Sequence, residues 1–392
     1  MLEPPNLSSL ELDVAIIGAG PVGLALAIEL SRAGFSTLVV DRRPPLDEDT
    51  IRPQLLVARL GDLANLDSLG IDVHDETLIS PLATRCEGDL ASGQTIRGEV
   101  AVPALPTRSS DLLLLARQPP LALVPIGALQ QALLAQARKQ GVTVFYNCEV
   151  TRLRRHARMV SLACSDGTTA RAAIAIVATG AARSLIEPTR LVGGFVPQRM
   201  IGGVFAGGSD RGRWIRVELP VPGFRDPTRC TVLQTPEQSA ILVDTQVAGV
   251  TTDEQLHHCF DVAARVHGLA GVPYRVEPQA FTTAITEVAN RYVAGDGRAP
   301  VVIAGDAAQT GHVFSGQTCF INMALAIRLG DLLRGSRAAI VDRKPTAPRL
   351  LDALARYDAQ SKTGASLLAR ASRRHIERHA AGAWALAGVA RA

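Results

Sequence analysis

The apolar positions of this chain fall in short continuous runs that glycines interrupt, with little of the alternation expected of an exposed sheet. Val14 to Ile17 is one such run, and residues 12–17 predict a buried strand ending in glycines. Val22 to Ala33 carries apolar and small residues at helical length, Gly34 stops it, and Ser36 to Val40 predicts a second, parallel strand. Together these make a β-α-β unit with a right-handed crossover. Leu55 to Leu69 predicts a helix closed by Gly70, and Ile126 to Lys139 predicts another, followed by Gly141 and a strand over Val142 to Tyr146. Val150 to Arg155 and Met159 to Ala163 read as a paired hairpin with a turn near Ser165-Asp-Gly-Thr, and Ala172 to Ala178 returns to the first sheet. Residues 76–120 read as short strands and turns. Residues 190–285 hold strand-like stretches such as Trp214 to Leu219 and Ser239 to Val243, with a helix near Asp253 to Val266, and predict a sheet covering a cavity. Residues 301–306 rejoin the parallel sheet, a long helix runs from about Gly316 to Arg334, and the chain from Pro345 onward is helical and rich in Ala and Arg.

Composition narrows this picture. The chain has 392 residues, 47% of them hydrophobic, enough for two intimately packed domains. No window of 18 apolar, uncharged residues suggests a membrane span. Met1 to Leu10 lacks the basic start and small-residue cleavage site of a secretory leader, and a cytoplasmic location is expected. A net charge of +4 gives little reason to expect nucleic acid as a partner. The six cysteines form no ligand cluster, so reduced thiols and no metal are expected. The basic stretch Arg370 to His379 reads as a solvated helical face with no stable membrane insertion.

The chemistry starts at Gly18-Ala-Gly20-Pro21-Val22-Gly23. Gly18 permits the tight turn after the strand, Gly20 leaves room for a pyrophosphate to approach the backbone, and Gly23 lets the helix pack on the sheet. Pro21 and Val22 open the helix, whose free N–H groups suit phosphate. Asp41 follows Gly23 by 18 residues, at the end of the second strand, where a carboxylate accepts ribose hydroxyls. This segment alone does not choose between FAD and NAD.

A second segment, Val301-Val-Ile-Ala-Gly305-Asp306-Ala-Ala, and the later Gly316-Gln317 before a long helix, give the sequence its resemblance to the group A FAD monooxygenases related to para-hydroxybenzoate hydroxylase. The resemblance covers about residues 12–360. It implies an α/β fold: a Rossmann-like FAD-binding domain with a mixed β-sheet substrate domain. The expected FAD-binding segments are 1–75, 121–189 and 286–345, the substrate segments 76–120 and 190–285, with a C-terminal helical region at 346–392. Asp306 would hold ribityl hydroxyls, unless it serves only as a cap or turn residue, and the backbone at Gly316, Gln317 and Thr318 would face the flavin pyrimidine carbonyl. Arg52 and Arg59 are candidates for FAD phosphate or ribose, although Arg59 could equally snorkel into water, and Arg42 either lines the adenosine or is a solvated cation. His312 and Gln317 are the catalytic candidates near the flavin, each with a structural alternative.

The chain departs from the family at several points. Ile126 stands where an arginine is common, and Gly180, in Val177-Ala-Thr-Gly180, replaces an aspartate. After Asp306, Gln309 replaces His, Val313 replaces Pro, Thr318 replaces Gly and Phe320 replaces Asn, with Asn322 a candidate to take over the last role. The implied activity is hydroxylation or epoxidation through a flavin C4a-hydroperoxide, with NADPH or NADH as transient reductant and O2 as co-substrate. The departures keep open a non-redox FAD-containing cyclase or isomerase. Trp214, Arg216, Phe224 and Tyr274 are candidate pocket residues, and with 4% aromatics an aliphatic cavity for a mid-sized lipophilic, natural-product-like substrate is expected. A monomer or homodimer is expected.

Overall fold

The computed structural model describes residues 11–46, 52, 54–89, 95–97, 108, 111–118, 120–180, 185, 190–191, 198–224, 227–244, 252–283, 287–289, 291–294, 296–311 and 316–389. In chain order the first elements are β1 (Glu11–Ile17), α1 (Pro21–Arg32), β2 (Thr37–Val40), β3 (Leu55–Arg59), α2 (Leu60–Ser68), β4 (Ser80–Asp89), β5 (Thr95–Arg97), α3 (Leu112–Arg117), β6 (Pro120–Pro125) and α4 (Ile126–Lys139). The middle holds β7 (Thr143–Phe145), β8 (Val150–Arg155), β9 (Val160–Cys164), β10 (Thr169–Val177), β11 (Arg190–Leu191), β12 (Gln198–Ala206), β13 (Gly212–Leu219), β14 (Thr228–Gln234) and β15 (Gln238–Asp244). There follow α5 (Asp253–Val266), β16 (Tyr274–Thr283), β17 (Glu287–Val288), β18 (Val293–Ala294), β19 (Val301–Ile303), a 3-10 turn (Gly305–Ala307), α6 (Thr318–Arg334), α7 (Arg337–Val341) and α8 (Pro348–Val389).

The first sheet runs β18-β19-β10-β1-β2-β7, with β19, β10, β1, β2 and β7 parallel and the β8–β9 hairpin added through β10. β1 lies between β10 and β2 and is covered on both faces, which is why its sequence is a continuous apolar run. On one face Val14 and Ile16 join the core of α1, α4 and α6, and on the other Ala15 and Ile17 join Val160, Leu162 and Val177. α4 buries the stripe Leu129, Leu133, Leu134 and Ala137, so its periodicity was readable.

The second sheet runs β16-β12-β15-β14-β13-β4-β6-β3, with β5 on β4. One face is covered by α5, whose Leu256, Cys259, Phe260 and Ala263 pack with Ile201, Ile215, Val232 and Ile241. The opposite face carries Leu55, Val57, Leu82, Leu123, Val204, Trp214, Leu233 and Ala240.

Three expectations are corrected here. The helix expected over 55–69 begins only at Leu60, because Leu55 to Arg59 pairs antiparallel with β6, and the Asp62 carboxylate accepts the Arg59 backbone N–H and starts the helix there. The stretch 76–120 also contains a helix, α3, capped by Asp111 through the backbone N–H groups of Leu113 and Leu114. β3 and β6 belong to the second sheet, which therefore draws strands from outside the segments 76–120 and 190–285.

Candidate functional site

The C-terminal ends of the parallel strands form a cradle. Gly18 adopts φ +118°, and a Cβ there would stand 2.2 Å from the Ala178 carbonyl oxygen. A Cβ on Gly23 would stand 2.0 Å from the Gly18 oxygen. A Cβ on Gly20 would meet nothing within 4 Å. Two of the three glycines thus answer to the protein's own packing, and the third faces open space above the first turn of α1. No side chain caps α1, and Pro21 occupies its start, so the turn presents its backbone N–H groups outward.

Asp41 lies at the end of β2, where the spacing placed it, but its carboxylate turns inward. It accepts the Ala19 N–H at 2.7 Å and three bonds from Arg43: the backbone N–H at 2.9 Å, Nε at 3.0 Å and a terminal guanidinium nitrogen at 2.7 Å. Burial pushes this carboxyl up, but the Arg43 hydrogen bonds and charge, with the Ala19 N–H, bring it below its ordinary value. Arg42, by contrast, is exposed and pairs with Glu149 at 3.8 Å. Tyr146, beside Asp41 and Arg43, has a buried hydroxyl with no partner among the described residues.

The second half of the cradle follows β19. Gly305 has φ +66°, and a Cβ on it would touch Val22 at 3.3 Å, so the two signature segments are in contact. Asp306 sits in the 3-10 turn and accepts the Asn322 side-chain amide at 3.0 Å. Gly316, with φ +59°, precedes α6, and a Cβ there would come 3.7 Å from Val57. Gln317 is the half-buried N-cap of α6 and makes no side-chain capping bond to it, while Thr318 opens the helix and lies against Gly311. His312 and Val313 lie outside the described residues.

The two arginines near β3 part company. Arg52 donates to the Gln130 side-chain oxygen at 3.2 Å, and its Nε is buried with no partner among the described residues. Burial lowers its pKa and the Arg43 charge lowers it further, while Cys319, Asp306 and Asp41 pull it back up. Arg59 is 6% exposed, lies 3.7 Å from Asp62 and donates to the Val57 and Gly316 carbonyls. The solvent-snorkelling alternative does not describe Arg59: buried, it fastens the start of α2 to the loop before α6, with its Nε left without a partner among the described residues. Gln130 was not singled out from the sequence. Its amide donates to the Ala19 carbonyl at 2.6 Å while its oxygen takes Arg52, so it links the glycine loop to the Arg52 guanidinium. Gly180, at φ +69°, sits just past β10 with open space at its Cβ position.

The FAD binding domain family matches residues 11–326, from β1 into α6. The chain belongs to that family. It is 30% identical over 159 residues to aklavinone 12-hydroxylase RdmE of Streptomyces purpurascens, a match that covers 37% of this chain and only 27% of that relative's length. Among solved structures it is similar to PqsL of Pseudomonas aeruginosa, a probable FAD-dependent monooxygenase, with TM-score 0.65 and 18% identity over 96% of this chain and 100% of that one. It is also similar to aklavinone-11 hydroxylase, solved as a ternary complex with FAD and aklavinone, with TM-score 0.61 and 22% identity over 84% of this chain and 63% of that one. The expected Rossmann-like FAD fold with a mixed-sheet substrate domain, and the kinship with group A monooxygenases, hold.

The residues present fit FAD. The open space at Gly20, the uncapped start of α1 and the buried, unpartnered Nε of Arg52 suit an anionic diphosphate. The Gly316–Thr318 turn brings the start of α6 to the second sheet at Val57. Of the pocket candidates, Trp214 is on the sheet face that bears Val57, with the Arg216 guanidinium 5.0 Å above its ring. Phe224 and Tyr274 are not there. Phe224 packs beside α5, and Tyr274 stacks near Phe205 and Phe260 on the same far side of the sheet.

Proposed function

We propose that this chain is an FAD-dependent monooxygenase that hydroxylates or epoxidises a mid-sized lipophilic, natural-product-like substrate in the cytoplasm, with NADPH or NADH as reductant. One observation carries the reading. Gly316, which we assign to the flavin end of the cradle, approaches Val57, which belongs to an apolar cluster with Leu55, Leu82, Leu123, Val204 and Trp214. An aliphatic wall with a single indole suits an apolar ring system and excludes water from the reacting edge. The curated relative's name, an aklavinone hydroxylase, supports the same substrate class.

When bound and reduced, FAD supplies the activation of O2, so that one oxygen atom enters the substrate and the other leaves as water. The chain's own residues bind and orient. The α1 start and Arg52 would hold the diphosphate, Asp306 would accept ribityl hydroxyls, and the start of α6 would supply partial positive charge to the flavin. Arg216 over Trp214 offers a donor to a phenolate or carbonyl at the wall.

Two substitutions that motivate the non-redox alternative serve packing. Gln309 is 1% exposed in a side-chain network and Phe320 is 3% exposed in the core of α6. The test is turnover of purified protein with FAD, NAD(P)H and candidate polycyclic phenols under labelled O2. Product carrying one labelled oxygen supports the reading, and product formed equally under anoxia refutes it.

A further inference from the structure

A chain of buried side chains ends on Asp306. The Tyr292 hydroxyl donates to the Gln309 side-chain oxygen at 3.0 Å, and the Gln309 amide donates to the Asn322 oxygen at 3.0 Å. The Asn322 amide donates to Asp306 at 3.0 Å and to the Gln309 carbonyl at 3.2 Å. Tyr292, Gln309 and Asn322 are 0%, 1% and 1% exposed.

The direction of this chain follows from its end. An ionised carboxylate only accepts, so Asn322 must present its amide nitrogen to Asp306. Its oxygen then needs a donor, which Gln309 supplies, and the Gln309 oxygen needs one in turn, which Tyr292 supplies. Every amide orientation is thereby set, and an unmatched group would leave a buried polar atom without a partner. Gly364 of α8 leaves room for this arrangement, since a Cβ there would stand 3.0 Å from the Gln309 amide nitrogen. The chain thus accounts for Gln309 and Asn322 together.

We propose that Asn322, held by Gln309 and Tyr292, is the positioning residue that fixes the Asp306 carboxylate for the ribityl chain of FAD. The inference rests on the preceding reading that Asp306 holds FAD, and it adds that cofactor affinity is set from inside the core. Among the described residues, the Arg52 guanidinium, from the segment before β3, and the Cys319 thiol on α6 interact electrostatically with Asp306.

The experiment measures FAD binding by flavin fluorescence quenching at pH 5.5 and 8.5 for the wild type, Asp306→Asn, Asn322→Asp, Asn322→Leu and the double variant Asp306→Asn/Asn322→Asp. Asn322→Asp places two carboxyl groups in contact, which share one proton at low pH and repel when both ionise. The expected result is near-wild-type binding at pH 5.5 and binding weaker by about tenfold or more at pH 8.5. The double variant should lose this pH dependence, because its second carboxylate is gone, and Asn322→Leu should bind weakly at both pH values. A merely structural role would lower affinity alike at both pH values, and that outcome, or wild-type binding by both Asn322 variants, overturns the proposal. Wild-type affinity in Asp306→Asn would instead strike the assignment of Asp306 to FAD, and the proposal falls with it.

Discussion

Replacing Gly20 with alanine separates the protein's needs from the cofactor's. Gly20 has φ −74° and ψ 173°, a backbone conformation open to any residue, and its Cβ position is clear to 4 Å. Loss of chain entropy in the unfolded state should favour the alanine form by about 0.4–1 kcal/mol. A slightly poorer N-cap offsets this by roughly a few tenths, so the free protein should melt within about 2 °C of the wild type. On the proposed reading the new methyl group would stand where the diphosphate approaches. Displacing two charge-assisted hydrogen bonds, at about 1.5–3 kcal/mol each, costs roughly 3–6 kcal/mol and raises Kd about 100- to 10,000-fold. Gly23→Ala is the control, since its Cβ would collide with the Gly18 oxygen at 2.0 Å and should destabilise the free protein itself. Thermal melts of the apo proteins and FAD titrations supply both numbers. Wild-type FAD affinity in Gly20→Ala, or a melting loss as large as that of Gly23→Ala, would refute the assignment of this space to the cofactor.

Arg52→Met should weaken FAD binding about tenfold or more while leaving the apo melting point nearly unchanged, because among the described residues the guanidinium has a single hydrogen bond, to Gln130; equal affinity by titration would remove Arg52 from the site. Arg59→Met should act on stability instead. Burial raises the Asp62 carboxyl from 3.8 to about 6, with Arg59 pulling it down, so the folded state takes up a proton between those values and this group opposes folding increasingly as pH rises through about 6. Losing Arg59 lifts that value further, and the variant should lose roughly 3–5 kcal/mol at pH 8 but visibly less at pH 5; a melting deficit independent of pH would contradict this. Asp41→Asn should cost about 1–3 kcal/mol at neutral pH. Because the native Asp41 pKa is lowered, its contribution is present above 3.8 and fades as pH falls through its lower native value, so denaturation curves of the two proteins should converge in acid.

Much of the architecture was legible because its elements announce themselves locally. The helices at Ile126–Lys139 and Asp253–Val266 matched their sequence bounds, since each carries an apolar stripe and, in the second, a Thr252–Gln255 capping box. β3 was hidden because Leu55, Val57 and Arg59 lead directly into helical residues and only the partner strand β6 distinguishes the two. The glycine roles were readable, but Arg52 and Arg59 were not separable: both are arginines in one short stretch, and what divides them is Asp62, whose burial beside Arg59 is tertiary. Gln130 looked like the polar face of an amphipathic helix, and nothing local says that this face meets Ala19. Trp214, Phe224 and Tyr274 were grouped by chemistry, while strand direction and pairing put Trp214 on one face of the sheet and the other two on the opposite side.

The approach of Val22 to Gly305 brings together two segments far apart in the chain, with a consequence for when a cofactor held between them would be acquired. A nascent chain that has left the ribosome only as far as the hairpin β8–β9 already owns the glycine loop, yet it lacks β19, the turn at Asp306 and the helix that lean on that loop. On the proposed reading flavin capture would therefore wait until β19, the turn at Asp306 and α6 have been made, and a fragment stopped before β19 should emerge colourless however well its first strands pair.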